Sequence, residues 1–503
     1  MQSGRLEDVM ADLFLGIDAG SSVLKAAVFD TTGRQVSVAS ARTPLKRPHP
    51  GWVEADPQTC LNALYAVITK AAKGQERAIR AVGIAGAMVG AWLVDSGGNA
   101  LRPGINWEDS RSQDMLDAMV AKRPSLMSDI FAVSGSVLQQ GCTLPVLGWF
   151  KQNQPDVLAQ TAHVLTYKDF LRNHLTGTFA ADRSEAAVLP GDARLQGRSA
   201  DLMDMFGITD LASLLPDVSA SQDVVGHLTS EAAQRTGLQS GISVIAGAGD
   251  VIANVIGAGG LKAGAATAIL GTTCMVGVCH DEAIFTPPDL GLLFSLPDRH
   301  WYRAMVNVAG TLNLDWTLKL VAPDLKDDPD RFAQVNAMVA SVPIGSNGVT
   351  YLPYLSESGI IAPVADPHAR AQFCGLHAGH DRADMLRAVY EGVTFAIADL
   401  VDLLSIDPDT PITLTGGGSH SAVWCQMIAD VTGRSILVPE GSEFGAKGAA
   451  LLAATAFGTF PSVTKASQAT LATGTLTRPK TTSHQSWADA RERFVQFRDA
   501  LLN

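Results

Sequence analysis

The hydrophobic positions of this chain gather into short apolar runs that end in glycine turns, and these alternate with longer amphipathic stretches. Leu13–Asp30, LFLGIDAGSSVLKAAVFD, reads as an apolar strand, a tight turn at Gly20-Ser21-Ser22 and a second apolar strand. Ala265–Asp281, AATAILGTTCMVGVCHD, repeats that pattern around Gly271-Thr272-Thr273. A third apolar run, Ile412-Thr413-Leu414, leads into Thr415-Gly416-Gly417-Gly418-Ser419. A supersecondary unit that recurs far down a chain points to duplicated domains. Helical spacing is expected over Pro57–Ala72, Asp169–Thr176 (stopped by Gly177), Leu386–Ile406, Val423–Val431, Gly445–Ala456 and Ser486–Leu502. Shorter strands are expected at Ala81–Ala85 and Ser435–Pro439. The alanine-rich helix suits close packing on a sheet, and the last helix places Trp487, Phe494 and Phe497 at helical spacing. Alternating strands and helices predict an α/β fold.

With 503 residues, two domains are the natural division. The expected boundaries are 12–246, 247–475 and a C-terminal helix over 476–503, with 1–11 as a short tail in which Met10 is an alternative start. The formal net charge of −12 and the lack of basic clusters argue against a nucleic-acid partner. The six cysteines show no Cys-x-x-Cys spacing and read as buried apolar side chains in a reducing compartment. The N-terminus does not read as a signal peptide, and no apolar stretch is long enough for a membrane span, so a cytoplasmic protein is expected.

Candidate chemistry sits at the turns. Asp18, at the end of the first strand, is placed to hold a magnesium ion, which prefers oxygen ligands. The hydroxyls and main-chain N–H groups of Gly20-Ser21-Ser22 suit phosphate oxygens, and Lys25 adds a cation. Val244–Asp250, VIAGAGD, is a strand opening into a glycine turn that ends in an acid. Asp250 reads either as the cap of the helix that follows or as a general base, and the two roles are compatible. Asn106–Arg111, NWEDSR, sets carboxylates around an indole whose face could stack on a sugar; the alternative is a surface loop with a half-buried Trp. Lys168, Asp169 and Asp182 read as solvated charges near a loop. Pro353–Arg370 is a long proline-rich connection, either functional or a structural crossover. Histidine is a poor candidate for catalyst or ligand: His377 and His380 flank Gly379 and no second ligand pair accompanies them.

Taken in order, these motifs resemble those of the FGGY carbohydrate kinases from about residue 13 to the C-terminal helix. IDAGSSVLKAAVFD is similar to the family's first phosphate motif and NWEDSR to its sugar-binding Trp element. TYKDFLRNHLTGTFAADRSEAA is similar to a Lys-Asp…Leu-Thr-Gly…Asp-x-Ser segment. AGAGD resembles the motif of the catalytic aspartate and LGTT the second phosphate motif. TGGGSHSAVWCQMIADVTG resembles the adenosine motif, and FGAKGAALLAA the helix after it.

The resemblance implies a two-domain actin-like fold, shared by sugar kinases, chaperones and actin, with an interdomain active-site cleft. It implies ATP and Mg2+ as cofactors, and a small sugar or polyol as substrate. It also implies a homodimer. The first domain would bind the sugar and the second the nucleotide. Asp250 would be the general base and Asp18 would lie beside the metal. Gly20, Ser21, Ser22, Lys25, Gly271, Thr272 and Thr273 would face the phosphates. Gly417, Gly418 and Gln426 would line the nucleoside pocket. Met88, Trp107 and Asp109 would contact the sugar.

The chain departs from the pattern at Ala87-Met88-Val89, where xylulokinases carry Gln-Met-His. It also lacks the Arg-Glu pair of glycerol kinases, and Ser356–Ala365 departs from the usual Gly-Glu-Arg-Thr-Pro. The resemblance is therefore nearest to kinases of L-xylulose or related ketoses, or of small polyols such as erythritol, with D-xylulose disfavoured. A non-kinase actin-like ATPase is the competing reading. The NWEDSR cluster discriminates, because a sugar pocket needs it and a chaperone does not.

Overall fold

Leu13, Leu15 and Ile17 point to one side of the first strand and Phe14 to the other, so a helix is needed on each face of the sheet that this strand joins. The computed structural model describes residues 12–502 except Gln140, Val308, Glu357, Ser358, Pro367 and Ala472. The expected N-terminal tail lies outside the described residues, as do two positions of the Ser356–Ala365 loop. Contacts divide the chain into two compact units. Residues up to Leu261, Phe294–His300 and Gly441–Ala472 form the first; Lys262–Leu293, Trp301–Glu440 and the chain from Thr473 form the second.

In the first unit the strands run in the order Val224–His227, Ser243–Ile245, Ile79–Gly86, Leu13–Ala19, Val23–Asp30 and Gln35–Arg42, with Ala248–Gly249 also paired to Ile79–Gly86. The helix Pro57–Ala72 covers one face, burying Leu64 and Ile68 among Leu15, Ile17 and Val28. Asp56 starts it: its carboxylate accepts the Thr59 N–H at 2.8 Å, and Pro57 follows with its φ already helical. The helix Phe444–Phe457 covers the other face through Ala446, Ala450 and Ala453. It lies almost on the backbone, since a Cβ at Gly16 would stand 1.8 Å from the Ala446 carbonyl oxygen and one at Gly83 1.9 Å from that of Ala449. The small residues thus do what the sequence suggests, but in the first unit.

This partition differs from the expected boundary at 246. The helices Asp250–Gly257 and Phe444–Phe457 pack on each other, and both belong with the N-terminal sheet. Chain order cannot reveal a segment that returns to an earlier sheet.

The second unit repeats the plan. The antiparallel hairpin of Ala266–Leu270 and Cys274–His280 pairs in parallel with Ile412–Thr415, as the first hairpin pairs with Ile79–Gly86. Ile436–Pro439 and Gly474–Thr477 extend the sheet on that side. The helix Arg382–Asp402 is buried along most of its length. A reciprocal cap fixes its start: Asp381 accepts the N–H groups of Ala383 and Asp384, and Asp384 accepts that of Asp381. The last helix, His484–Leu502, buries Trp487 and Phe494 but leaves Phe497 exposed.

Candidate active site

Three chain segments leave the first sheet side by side. Ala19 is in register with Gly86, and Gly86 with Gly249. The turn Gly20-Ser21-Ser22, the turn Ala87-Met88-Val89 and Asp250 therefore emerge together at one edge. Ligands of parallel α/β sheets bind at this end of the strands.

Asp18 and Asp250 are close enough to repel. Burial pushes Asp18 up to about 7, helped by the Asp250 charge, opposed by Lys25 and reinforced by Glu443. Burial likewise raises Asp250 to about 6, against the pull of the Val251 N–H, which donates to Asp250 Oδ1 at 2.8 Å. Gly249 holds the N-cap position, so Asp250 is the first helical residue and not the cap. Its Oδ1 still satisfies one N–H of the first turn. Asp18 Oδ1 is buried and has no partner among the described residues, as a metal-ligating oxygen would be.

The Lys25 ammonium lies 2.8 Å from Glu443, an acid remote from it in the chain. Glu443 has φ +55° immediately before the helix Phe444–Phe457, a conformation costly for a residue with a Cβ. Only three-dimensional proximity marks it.

Trp107 and Met88 line one recess with Ser21, Asn106 and Tyr167. The Trp107 indole N–H donates to Ser21 Oγ at 2.9 Å, which ties the Gly20-Ser21-Ser22 turn to the Asn106–Arg111 loop. The Met88 side chain lies over Gly249, where a Cβ would meet its sulfur at 2.3 Å. Val89 adopts φ +56°, a true outlier for a β-branched residue, and its N–H donates to Glu185 at 3.0 Å.

Asp109 corrects the expectation of a direct sugar contact. It is fully buried, and Oδ1 accepts from the backbone N–H and Nε of Arg111 while Oδ2 accepts from Val53 N–H and Arg111 Nη2. Arg111 in turn pairs with Glu54 at 2.7 Å and lies 3.8 Å from the centre of the Trp52 ring. Asp109 holds the loop that carries Trp107.

Lys168, Asp169 and Asp182 correct the solvated reading: all three are buried. Lys168 pairs with Asp169 at 2.6 Å and Asp182 at 2.5 Å, and Arg172 with Asp169 at 2.7 Å. Burial pushes the adjacent Glu185 carboxyl far above its usual range despite Lys168.

In the second unit, Ile269 and Thr415 are in register, so the Gly271-Thr272-Thr273 turn and the Gly416-Gly417-Gly418 turn also lie side by side. The first is braced by Gly310 and Thr311, whose N–H groups donate to the carbonyls of Thr272 and Gly271 at 2.6 and 2.7 Å. Gln426 sits on the helix Ala422–Thr432, its amide donating to Asp430 and to the Arg478 carbonyl.

The N-terminal domain of the FGGY family of carbohydrate kinases matches residues 13–257 and the C-terminal domain residues 266–457. A xylulose kinase of Escherichia coli strain K12 is 32% identical over 88% of this chain and 89% of its own. An L-xylulose/3-keto-L-gulonate kinase of the same strain is 28% identical over 98% of both. The crystal structure of a xyloylose kinase from Brucella ovis superposes with a TM-score of 0.85 at 29% identity, covering 97% of this chain and 99% of that one. The two α/β units carry the actin-like fold of these sugar kinases. No described helix is long and apolar enough to cross a membrane. The chain belongs to the FGGY family of carbohydrate kinases.

Proposed function

We propose that this carbohydrate kinase transfers the γ-phosphoryl group of ATP to a hydroxyl of a ketopentose such as L-xylulose or xylulose, with Asp250 as general base. The observation that carries this reading is the position and state of Asp250. It follows the strand end next to Gly20-Ser21-Ser22, its neighbour Gly249 lies against Met88 of the Trp107 recess, and burial raises its pKa to about 6. A base of that strength is ionised at neutral pH yet basic enough to accept a hydroxyl proton as attack proceeds. Relatives named as xylulose and L-xylulose kinases support the ketopentose class.

Trp107 offers its ring face to the sugar, and Met88 bounds the same recess. Gly20, Ser21 and Ser22 receive phosphate oxygens in the first unit; Gly271, Thr272 and Thr273 receive them in the second. Gly417, Gly418 and Gln426 take the nucleoside. Lys25 moves from Glu443 to the triphosphate when the nucleotide binds.

Magnesium fits Asp18, whose unpartnered buried oxygen is a hard donor. Among the described residues no three His, Cys, Asp or Glu form an all-protein cage. Magnesium commonly takes one or two carboxylates together with phosphates and waters. When bound, it neutralises charge on the triphosphate.

A coupled assay of ADP release over ketopentoses, tetritols, other polyols and sugar acids tests the reading. Turnover with a ketopentose above the rest is expected. A polyol as best substrate moves the acceptor class, and ATP hydrolysis unaffected by any sugar returns the chain to the non-kinase ATPase reading.

A further inference from the structure

The buried charges of the first unit lead to Asp250 by a chain of direct contacts. Lys168 and Arg172, both on the helix Tyr167–Thr176, face Asp169 and Asp182, so two cations meet two carboxylates out of water. Such a group is weak evidence for stability, because desolvation offsets the attraction. Its retention in the core calls for another reason.

Asp182 caps the short helix Arg183–Val188: its Oδ1 accepts the Ser184 N–H at 2.8 Å and the Ser184 hydroxyl. With its proton given to Asp182, Ser184 Oγ is left to accept, and it accepts the Gly249 N–H at 2.9 Å. Gly249 is the residue before Asp250. The other end of the same turn is held by Arg172, whose Nη1 donates to the Ala246 carbonyl. The turn from Ala246 to Gly249 is thus clamped at both ends by one ionic cluster. Fixing the Ser184 hydroxyl by a carboxylate, itself fixed by Lys168, leaves that oxygen one role.

We propose that Ser184, oriented by the Asp182–Lys168 pair, is a positioning residue that sets the reach of Asp250 toward the acceptor hydroxyl. This rests on the kinase reading for its effect on rate, and on geometry alone for the clamp. Phosphoryl transfer depends on alignment, and a misplacement of about 1 Å can cost about 100-fold in rate. Among the described residues the clamp makes no hydrogen bond to Gly20-Ser21-Ser22, and it meets the Trp107 recess at Gly249, over which Met88 lies, so its loss falls on turnover and leaves ATP binding alone.

Ser184→Ala removes only the acceptor. The expected result is a kcat lowered by about 10- to 100-fold, with KM for ATP within about twofold of wild type. Faster amide exchange at Gly249 is expected with it. Ser184→Cys keeps the size, supplies only a weak acceptor, and is read in the same way should the alanine variant not fold. An unchanged kcat together with faster exchange at Gly249 overturns the positioning role. Unchanged exchange overturns the clamp. If wild-type enzyme phosphorylates no sugar, the kinase reading fails on its own, and Gly249 exchange still decides the clamp.

Discussion

Gly445 faces Asp18 across a gap that admits no side chain: a Cβ on Gly445 would stand 2.3 Å from Asp18 Oδ2. The near atom is the far end of a short side chain that can rotate away, so the fold can absorb the change while the site cannot. Gly445→Ala gains helix propensity of about 1 kcal/mol relative to glycine. Melting temperature should stay near wild type while the magnesium concentration needed for half-maximal rate rises severalfold. Gly448→Ala is the contrast, because its Cβ would stand 1.9 Å from the Ala253 carbonyl oxygen. That backbone cannot swing aside, and the variant should lose stability first. If both variants lose stability equally, the Gly445 contact is one of packing alone.

Asp250→Asn keeps the shape of the helix start and removes the base. Turnover should fall by about 10²–10⁴-fold with ATP binding nearly unchanged. In wild type the acidic limb of kcat/KM should have its midpoint near pH 6, where Asp250 ionises. Steady-state rates from pH 4 to 8 check this, and a profile flat from pH 5 to 8 would show that Asp250 is not held above the usual carboxylate range.

Asp18 makes a separate statement about stability. Its folded pKa of about 7 lies above the ordinary 3.8, so the folded state holds a proton that the unfolded chain releases. This contribution is fully present below about pH 4 and is lost as pH rises through about 7. In the absence of nucleotide and metal, wild type should therefore lose stability between pH 4 and 7 relative to Asp18→Asn, which carries no such charge. Thermal melts of both proteins across that range decide it. Parallel curves would mean that Asp18 is not held in its uncharged form.

Trp107 and Asp109, two residues of the Asn106–Arg111 loop, separate in the same way. Asp109→Ala leaves the buried Arg111 without its main partner, a loss of about 3–5 kcal/mol for a broken buried pair, so it should appear as a lower melting temperature. Trp107→Ala should instead raise KM for the sugar with KM for ATP little changed. Trp107→Phe keeps a ring face and loses only the bond to Ser21 Oγ, so it should fall between wild type and alanine. An Asp109→Ala enzyme that stays stable but binds sugar poorly would restore that carboxylate to the substrate.

What the sequence makes legible is local. The hairpin at Leu13–Asp30 and its repeat at Ala265–Asp281 show themselves through alternation and a glycine turn, because each is built from neighbours in the chain. Asp18 and Asp250 stand out for the same reason. Lys168 and Asp182 do not: nothing nearby says that charged residues are buried, since their partners are set by how a helix and a loop meet. Glu443 is hidden similarly, being remote in sequence from Lys25. Asp109 looks like a sugar ligand until Arg111, two residues on, is seen to turn back on it.

The recess beside Trp107 gives the sharpest test of substrate choice. Ala87, Met88 and Val89 carry no side chain that bonds a hydroxyl strongly, so this wall offers a sugar chiefly its backbone groups. The Val89 N–H is already given to Glu185. A sugar hydroxyl directed at this wall would lose water and find no partner, at a cost of about 1–3 kcal/mol. D-xylulose should therefore show a kcat/KM about tenfold or more below the best ketopentose or tetritol. Val89→His makes the converse case, since histidine supplies a donor and tolerates the positive φ of this position better than valine does. It should raise kcat/KM for D-xylulose without loss of melting temperature. Steady-state kinetics on both proteins with the same panel of sugars measure the two effects together. D-xylulose as the best substrate of wild type would show that its hydroxyls are met elsewhere, and the Ala87-Met88-Val89 wall would then have no part in specificity.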